Sequence, residues 1–157
     1  MTTERALTVH RDERGSVREA FRASWYTLPP IVQVVHSESG EGVLRGMHAH
    51  KRQYDVWHFT RGRALVQTFD HRTNEWNVYR VGPGQTLVIP PGVSHGFEAL
   101  TDVTLTYFLT EEYDGSDEFQ WDAYSEDFPG ADTWSPSSIR SERDMSSPSL
   151  ADFRAAW

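Results

Sequence analysis

Between residues 31 and 109 the chain is a succession of short apolar runs that alternate roughly in period two and break at turn residues. The runs are IVQVVH (31–36), GVLRGMHAH (42–50), YDVWHFT (54–60), ALVQTF (64–69), WNVYRV (76–81), TLVIP (86–90) and VTLTYFL (103–109). Val, Thr, Tyr, Phe and Trp dominate them, and such side chains fit a pleated, half-buried surface on which alternate residues share a face. The breaks carry Gly, Pro, Asn and Asp, at Arg61-Gly62-Arg63, Arg72-Thr73-Asn74-Glu75, Gly82-Pro83-Gly84 and Pro90-Pro91-Gly92. Those residues supply the backbone angles that tight turns demand. Many short strands at regular spacing predict an antiparallel all-β sandwich or barrel.

The flanking segments read differently. REAFRAS (18–24) fits a short helix or an edge strand, and is read as a strand. Residues 111–148 are acidic and rich in Ser, Pro and Asp, with Trp121, Tyr124, Phe128 and Trp134 scattered among them. Such a segment cannot make its own core, but its aromatics would anchor it across the barrel as an irregular or short-helical tail; the alternative is a disordered extension. A chain of 157 residues fits one domain, with a barrel over about 31–110 and a tail over 111–157 packed on it.

No apolar run approaches the roughly 20 residues of a membrane span. The segment MTTERALTVHRDERG carries charge where an export signal needs an apolar stretch, so a soluble, cytoplasmic protein is the default expectation. With no cysteine, disulfides and thiolate metal sites are excluded, and imidazole and carboxylate remain as the strong ligands. A formal net charge of −8 argues against nucleic acid or an anionic membrane as partner. An anionic small molecule would instead need local arginines in a shielded pocket, which singles out Arg14 and Arg45.

Two segments carry chemistry. In the first, Gly42 is followed after five residues by His48-Ala49-His50, then Asp55 and Gly62; in the second, Gly84, Pro90, Gly92 and His95 recur in order. These spacings match the two signatures of the cupins, G-x5-HxH-x3,4-E-x6-G and G-x5-PxG-x2-H, with Asp55 in place of Glu and Ala99 where the second motif ends in Asn. Residues i and i+2 of a strand face one side, so His48 and His50 both point into the barrel. A hairpin would return Asp55 to the same depth, and His95 would approach from the opposite sheet. The expected fold is therefore a cupin double-stranded β-helix, a jelly-roll barrel. His48, His50, Asp55 and His95 would suit a divalent first-row metal such as Zn, Fe, Ni or Mn. His58 is read as structural, and His10, His36 and His71 have no evident partners.

The chain also resembles the dTDP-4-dehydrorhamnose 3,5-epimerases, from about residue 12 to 148. The resemblance rests on Asp12-Glu13-Arg14-Gly15 with Glu19 and Phe21, VLRGMH (43–48), IPPGVSHGF (89–97), TYFLTEEY (106–113), and SERD (141–144) with Pro148. Members are homodimeric cupins that invert carbons flanking the C4 ketone of a nucleotide-linked 4-keto-6-deoxyhexose, usually without a metal. The ketone acidifies the C3 and C5 protons, so the task needs a base on one face, an acid on the other, and charge-stabilising groups at the oxyanion.

The resemblance implies that His48 is the base, Asp144 its orienting carboxylate and Tyr107 the acid. Arg45 would contact the diphosphate, His95 would be a further substrate contact, and Tyr113 would stack near the nucleobase. Arg14 and Glu19 would reach the nucleotide of a partner subunit. Two positions depart from the family, which usually has Gln at His50 and, at Asp55, a lysine that steadies the enolate oxygen. Val17 stands where an aromatic is usual, and the turn over 70–76 is shorter.

These residues leave three functional classes in view. The leading one is an isomerase of a 4-keto-deoxy sugar, distinguished by the joint presence of Tyr107 and the distant Asp144. A metal-dependent cupin oxygenase or lyase would need only His48, His50, Asp55 and His95. A non-catalytic small-molecule-binding cupin would bind without proton exchange. A metal bound to His48 through its pocket-facing lone pair would stop that residue acting as a free base.

Overall fold

The structure, a computed structural model, describes residues 1–157. Its strands are β1 Thr3–Ala6, β2 His10–Asp12, β3 Gly15–Val17, β4 Gln33–Ser39, β5 Leu44–Ala49, β6 Asp55–Arg61, β7 Ala64–Asp70, β8 Glu75–Val81, β9 Gln85–Ile89, β10 Val93–Ala99, β11 Val103–Leu109 and β12 Phe119–Gln120. Two short helices close the chain, α1 Glu142–Met145 and α2 Leu150–Ala156. The strands form two five-stranded sheets, ordered β1-β9-β6-β11-β4 and β12-β5-β10-β7-β8, with β2 and β3 in a separate hairpin. All named pairings are antiparallel. This is the expected jelly roll. No helix is long and apolar enough to cross a membrane.

Two apolar cores follow from two sets of alternating residues. Between the sheets lie Trp57, Phe59, Val66, Leu87, Phe97 and Leu105, all buried. On the far side of the second sheet a further core joins Leu44, Leu65 and Phe69 to Trp121, Phe128, Trp134, Leu150 and Phe153 of the tail. The tail thus covers an outer sheet face, and its aromatics are the anchors. Strand β7 shows the result: every residue of ALVQTFD is buried, even ones alternate in the chain facing Phe97 and odd ones facing the tail. Gln67 survives there because Trp76 Nε1 donates to its Oε1 (2.7 Å) and its Nε2 donates to the Gly130 carbonyl (3.1 Å).

Several expectations need correction. REAFRAS is not a strand: the backbone makes one 3-10 turn at Ala23–Trp25, and Phe21 instead lies flat against Phe108, ring centroids 5.6 Å apart. A strand absent from the sequence reading, β10, runs through Ser94-His95-Gly96-Phe97, where period-two alternation is broken by a glycine. Gly96 is required there, since a Cβ would stand 2.9 Å from the Arg45 carbonyl oxygen and 3.0 Å from Met47 Sδ. The segment between β5 and β6 is not a hairpin return; it carries the chain from one sheet to the other. His58 is structural as expected, buried on the face away from Asp55 and Trp57, with Nδ1 donating to the Gln85 carbonyl (3.3 Å).

His71 acquires partners in the fold. Its ring packs beside Phe153 and Trp157 of the C-terminal segment, centroids 5.0 and 5.5 Å away, and Nε2 meets Ser94 Oγ at 2.6 Å. Burial, aided by the charge of Arg154 and opposed by Asp70, lowers its pKa to about 4 from 6.5. The folded pKa lies below the unfolded one, so the unfolded chain binds the proton more readily between pH 6.5 and 4. The stabilisation is intact above pH 6.5 and is lost as the pH falls toward 4. Because the ring keeps some solvent contact, the slope is a fraction of the full ~1.4 kcal/mol per pH unit. Thermal melts from pH 7 to 4.5 should show a Tm drop that is smaller in His71→Phe; an identical drop in the variant would discard this account.

Candidate active site

The barrel leaves a cavity of about 280 Å³ at one end, near the lower limit of the ~300–1,000 Å³ typical of small-ligand sites. Two walls face each other across it. Strands β5 and β10 supply Arg45, His48, His95 and Phe97, with His50 just beyond β5. Strands β4, β6 and β11 supply Val35, Ser37, Asp55, Trp57, Tyr107 and Leu109, with Gln53 just before β6. Register explains the grouping: His48 pairs directly with His95 on one wall, and Tyr107 pairs with Trp57 on the other. The expected arrangement was therefore inverted. His95 shares a sheet with His48, and Asp55 is the residue that comes from the opposite sheet.

The tail completes the first wall. Ser141 caps α1 by accepting from the Asp144 amide (3.1 Å), a Ser-x-x-Asp turn that aims the Asp144 side chain inward. His48 Nε2 lies 3.2 Å from Asp144 Oδ1. Burial raises the Asp144 pKa, but the hydrogen bond and charge of His48, the Ser141 hydroxyl and the charge of Arg143 outweigh it, so the net shift is downward. An ionised carboxylate only accepts, so Nε2 of His48 carries the hydrogen and Nδ1 is left with a lone pair.

On the facing wall, burial pushes the Tyr107 phenol above its ordinary pKa, with Ser37 and Arg45 pulling back and Asp55 adding to the rise. Tyr107 thus keeps its proton near neutral pH, its hydroxyl 3.0 Å from Ser37 Oγ. Arg45, exposed at the mouth, is braced by donating from Nε to Ser39 Oγ (2.9 Å) and from Nη2 to the Glu38 carbonyl (3.2 Å).

His50, Asp55 and His95 stand together, one ligand-type atom of each within 4.8 Å of the others, and could hold a metal ion. His48, the fourth member expected on spacing, is outside this cluster, its Nε2 engaged by Asp144. His95 is buried, which lowers its pKa to about 4; Asp55 opposes that shift and His50 and His48 reinforce it.

The remaining expected residues do not line the cavity of their own chain. Arg14 is ion-paired to Asp12 in the exposed β2–β3 hairpin, and Glu19 to Arg22 nearby. Tyr113 is 69% exposed and borders an adjoining depression that shares Val35, His50, Gln53 and Leu109 with the main cavity. The sequence reading missed Ser37, Gln53 and Trp57. The last two lie two residues either side of Asp55, and that spacing is the signal that would have found them.

A two-sheet jelly roll with a carboxylate-held imidazole facing a protonated phenol defines a cupin barrel equipped for proton transfer. Residues 3–152 match the family described as dTDP-4-dehydrorhamnose 3,5-epimerase. The spore coat polysaccharide biosynthesis protein SpsL of Bacillus subtilis is 36% identical over 116 residues, 68% of this chain and 77% of that protein. The dTDP-4-dehydrorhamnose 3,5-epimerase of Escherichia coli is 31% identical over 120 residues, 67% of this chain and 65% of that one. Among solved structures, the dTDP-4-dehydrorhamnose 3,5-epimerase of Sulfolobus tokodaii superposes with a TM-score of 0.84 at 29% identity, over 96% of this chain and 90% of that one. NovW, a 4-keto-6-deoxy sugar epimerase of Streptomyces spheroides, shares the fold with a TM-score of 0.89 at 23% identity, over 99% of this chain and 85% of that one. The chain belongs to the dTDP-4-dehydrorhamnose 3,5-epimerase family, a family of isomerases.

Proposed function

We propose that the chain inverts one or both of the carbons flanking the C4 ketone of a dTDP-linked 4-keto-6-deoxyhexose. The observation that carries this reading is the 3.2 Å contact between His48 and Asp144, residues 96 apart in sequence, on the wall facing Tyr107. A generic sugar-binding barrel has no use for such a pair. In the reading, His48 Nδ1 removes a proton from C3 or C5 and Asp144 stabilises the imidazolium formed. Tyr107 delivers a proton to the opposite face, and its raised pKa keeps that proton available. The cavity is sized for the hexose ring, which leaves the nucleotide outside, where Arg45 would meet the diphosphate. His95 and Trp57 would wall the ring.

The test is incubation with dTDP-4-keto-6-deoxyglucose in deuterated buffer, with the sugar protons followed by NMR. Deuterium at C3 or C5 supports the reading, and none at either carbon refutes it for that substrate.

The same reading makes the protein a homodimer in which Arg14 and Glu19 reach a partner's cavity, with Tyr113 at the nucleobase. Supporting it, β4 is an unpaired sheet edge, and Val32 and Val34 are 51 and 59% exposed. Exposed apolar side chains beside an open strand edge are a surface that calls for cover. Light scattering at micromolar concentration should give the mass of two chains, and Val34→Lys should shift it toward one. A monomeric parent protein would take Arg14 and Glu19 out of the site.

A further inference from the structure

His50, Asp55 and His95 are ligand-type side chains that the acid–base pair does not use, and what they offer is set by their hydrogen bonds. His50 Nδ1 lies 2.8 Å from the Asp117 carbonyl oxygen, and His95 Nδ1 lies 3.1 Å from that of Val93. A carbonyl only accepts, so Nδ1 carries the hydrogen in both rings and Nε2 carries the lone pair. Neither Nε2 makes a hydrogen bond; that of His95 stands 3.7 Å from Asp55 Oδ2, with the ring centroids of the two histidines 5.5 Å apart. A backbone carbonyl behind Nδ1 is the arrangement that fixes the tautomer and aim of metal-ligating imidazoles. Asp55 is fixed in the same way. Gln53 Nε2 donates to Oδ1 at 2.6 Å and Trp57 Nε1 to Oδ2 at 3.0 Å, one donor for each oxygen, leaving lone pairs free on both.

We propose that His50, Asp55 and His95 form a binding site for one divalent first-row transition-metal ion, and that His48 is not a ligand of it. Two imidazoles and one carboxylate converging from both walls leave the remaining coordination positions open to the cavity. Metal bonds of about 2.0–2.2 Å require the donor atoms to close from within 4.8 Å to roughly 3–3.5 Å. Partly buried His50, just beyond the end of β5, would make that small movement by pivoting about its Nδ1 bond to the Asp117 carbonyl.

The site stands on this geometry; its role rests on the isomerase reading above. Asp55 places a carboxylate in the cavity wall, and an anion there opposes the negative charge that develops on the C4 oxygen. A divalent ion outweighs the carboxylate and returns positive charge to that side of the cavity. His48 keeps Nε2 for Asp144 and Nδ1 for the substrate, so base and ion do not compete for one nitrogen.

The test is a titration of tag-free, chelator-stripped protein with Co2+, read by visible absorption and calorimetry, without substrate. One ion per chain with a Kd in the micromolar range, about 100-fold weaker in Asp55→Asn and in His95→Gln and within about threefold of the parent in His48→Ala, is the expected result. Circular dichroism and thermal melts verify that the near-isosteric variants fold. His50→Gln, at the rim of the barrel, gives the same test at a position whose change leaves the core packing alone. Absence of saturable binding up to about 1 mM overturns the site. Binding that survives Asp55→Asn, or that is lost in His48→Ala, overturns the three-ligand assignment. Failure here leaves the deuterium-exchange result untouched, and failed exchange by the metal-loaded protein would fault the isomerase reading alone.

Discussion

His48→Ala is expected to abolish deuterium incorporation at C3 and C5 of the 4-keto sugar, with a loss of turnover on the order of 10³-fold. A positioned general base contributes about 10²–10⁴-fold, and the other imidazole lone pairs of that wall, on His50 and His95 Nε2, belong to the cluster with Asp55 rather than to the Asp144-held position. The substitution removes a half-exposed ring from a cavity wall rather than a core side chain, so fold and substrate KM should change little. Asp144→Asn should cost less than His48→Ala, because the imidazole remains, but its loss should appear in kcat. The amide keeps the shape and loses the charge that steadies the imidazolium. Exchange in His48→Ala within tenfold of the parent protein would mean that another residue takes the proton.

Tyr107→Phe should separate two events that coincide in the parent protein. In the proposed mechanism, proton removal belongs to the His48 wall and re-protonation with inversion to the Tyr107 wall that faces it. Without the phenol the enolate can be re-protonated only from the side it was formed on. Deuterium should still wash into the sugar with configuration retained, while the inverted product falls by about 10² or more. The phenyl ring keeps its edge contact with Trp57, centroids 5.6 Å apart, so packing is preserved and only the hydroxyl and its bond to Ser37 are lost. Parallel loss of exchange and inversion would show that the tyrosine acts in proton removal itself.

The strands of the barrel and the convergence of His48, His50 and His95 were legible from alternation and motif spacing, because parity along a strand fixes the face a side chain takes. Parity says nothing of which sheet a strand joins. The Lys51–Tyr54 connection reads as a hairpin, yet its backbone amides at Lys51 and Arg52 donate to the Asp117 carboxylate (3.0 and 3.1 Å), and the chain crosses to the other sheet. Asp144 lies beyond the reach of any local pattern; only the family resemblance pointed to it. The second core left a readable trace, since both parities of ALVQTF are apolar, which a strand with one solvated face would not be. Strand β10 was hidden because its central Gly96 serves close backbone approach to β5 and gives no apolar signal.

The way the last forty residues wrap the outer sheet has a temporal consequence. All strands of the jelly roll are synthesised before Asp144, so a nascent barrel would present its imidazole with nothing to hold the tautomer. Catalytic competence would then arise only as the C-terminal aromatics seat, and a protease cut anywhere between Trp121 and Ser141 would silence the proposed epimerase while sparing the strands that line its cavity.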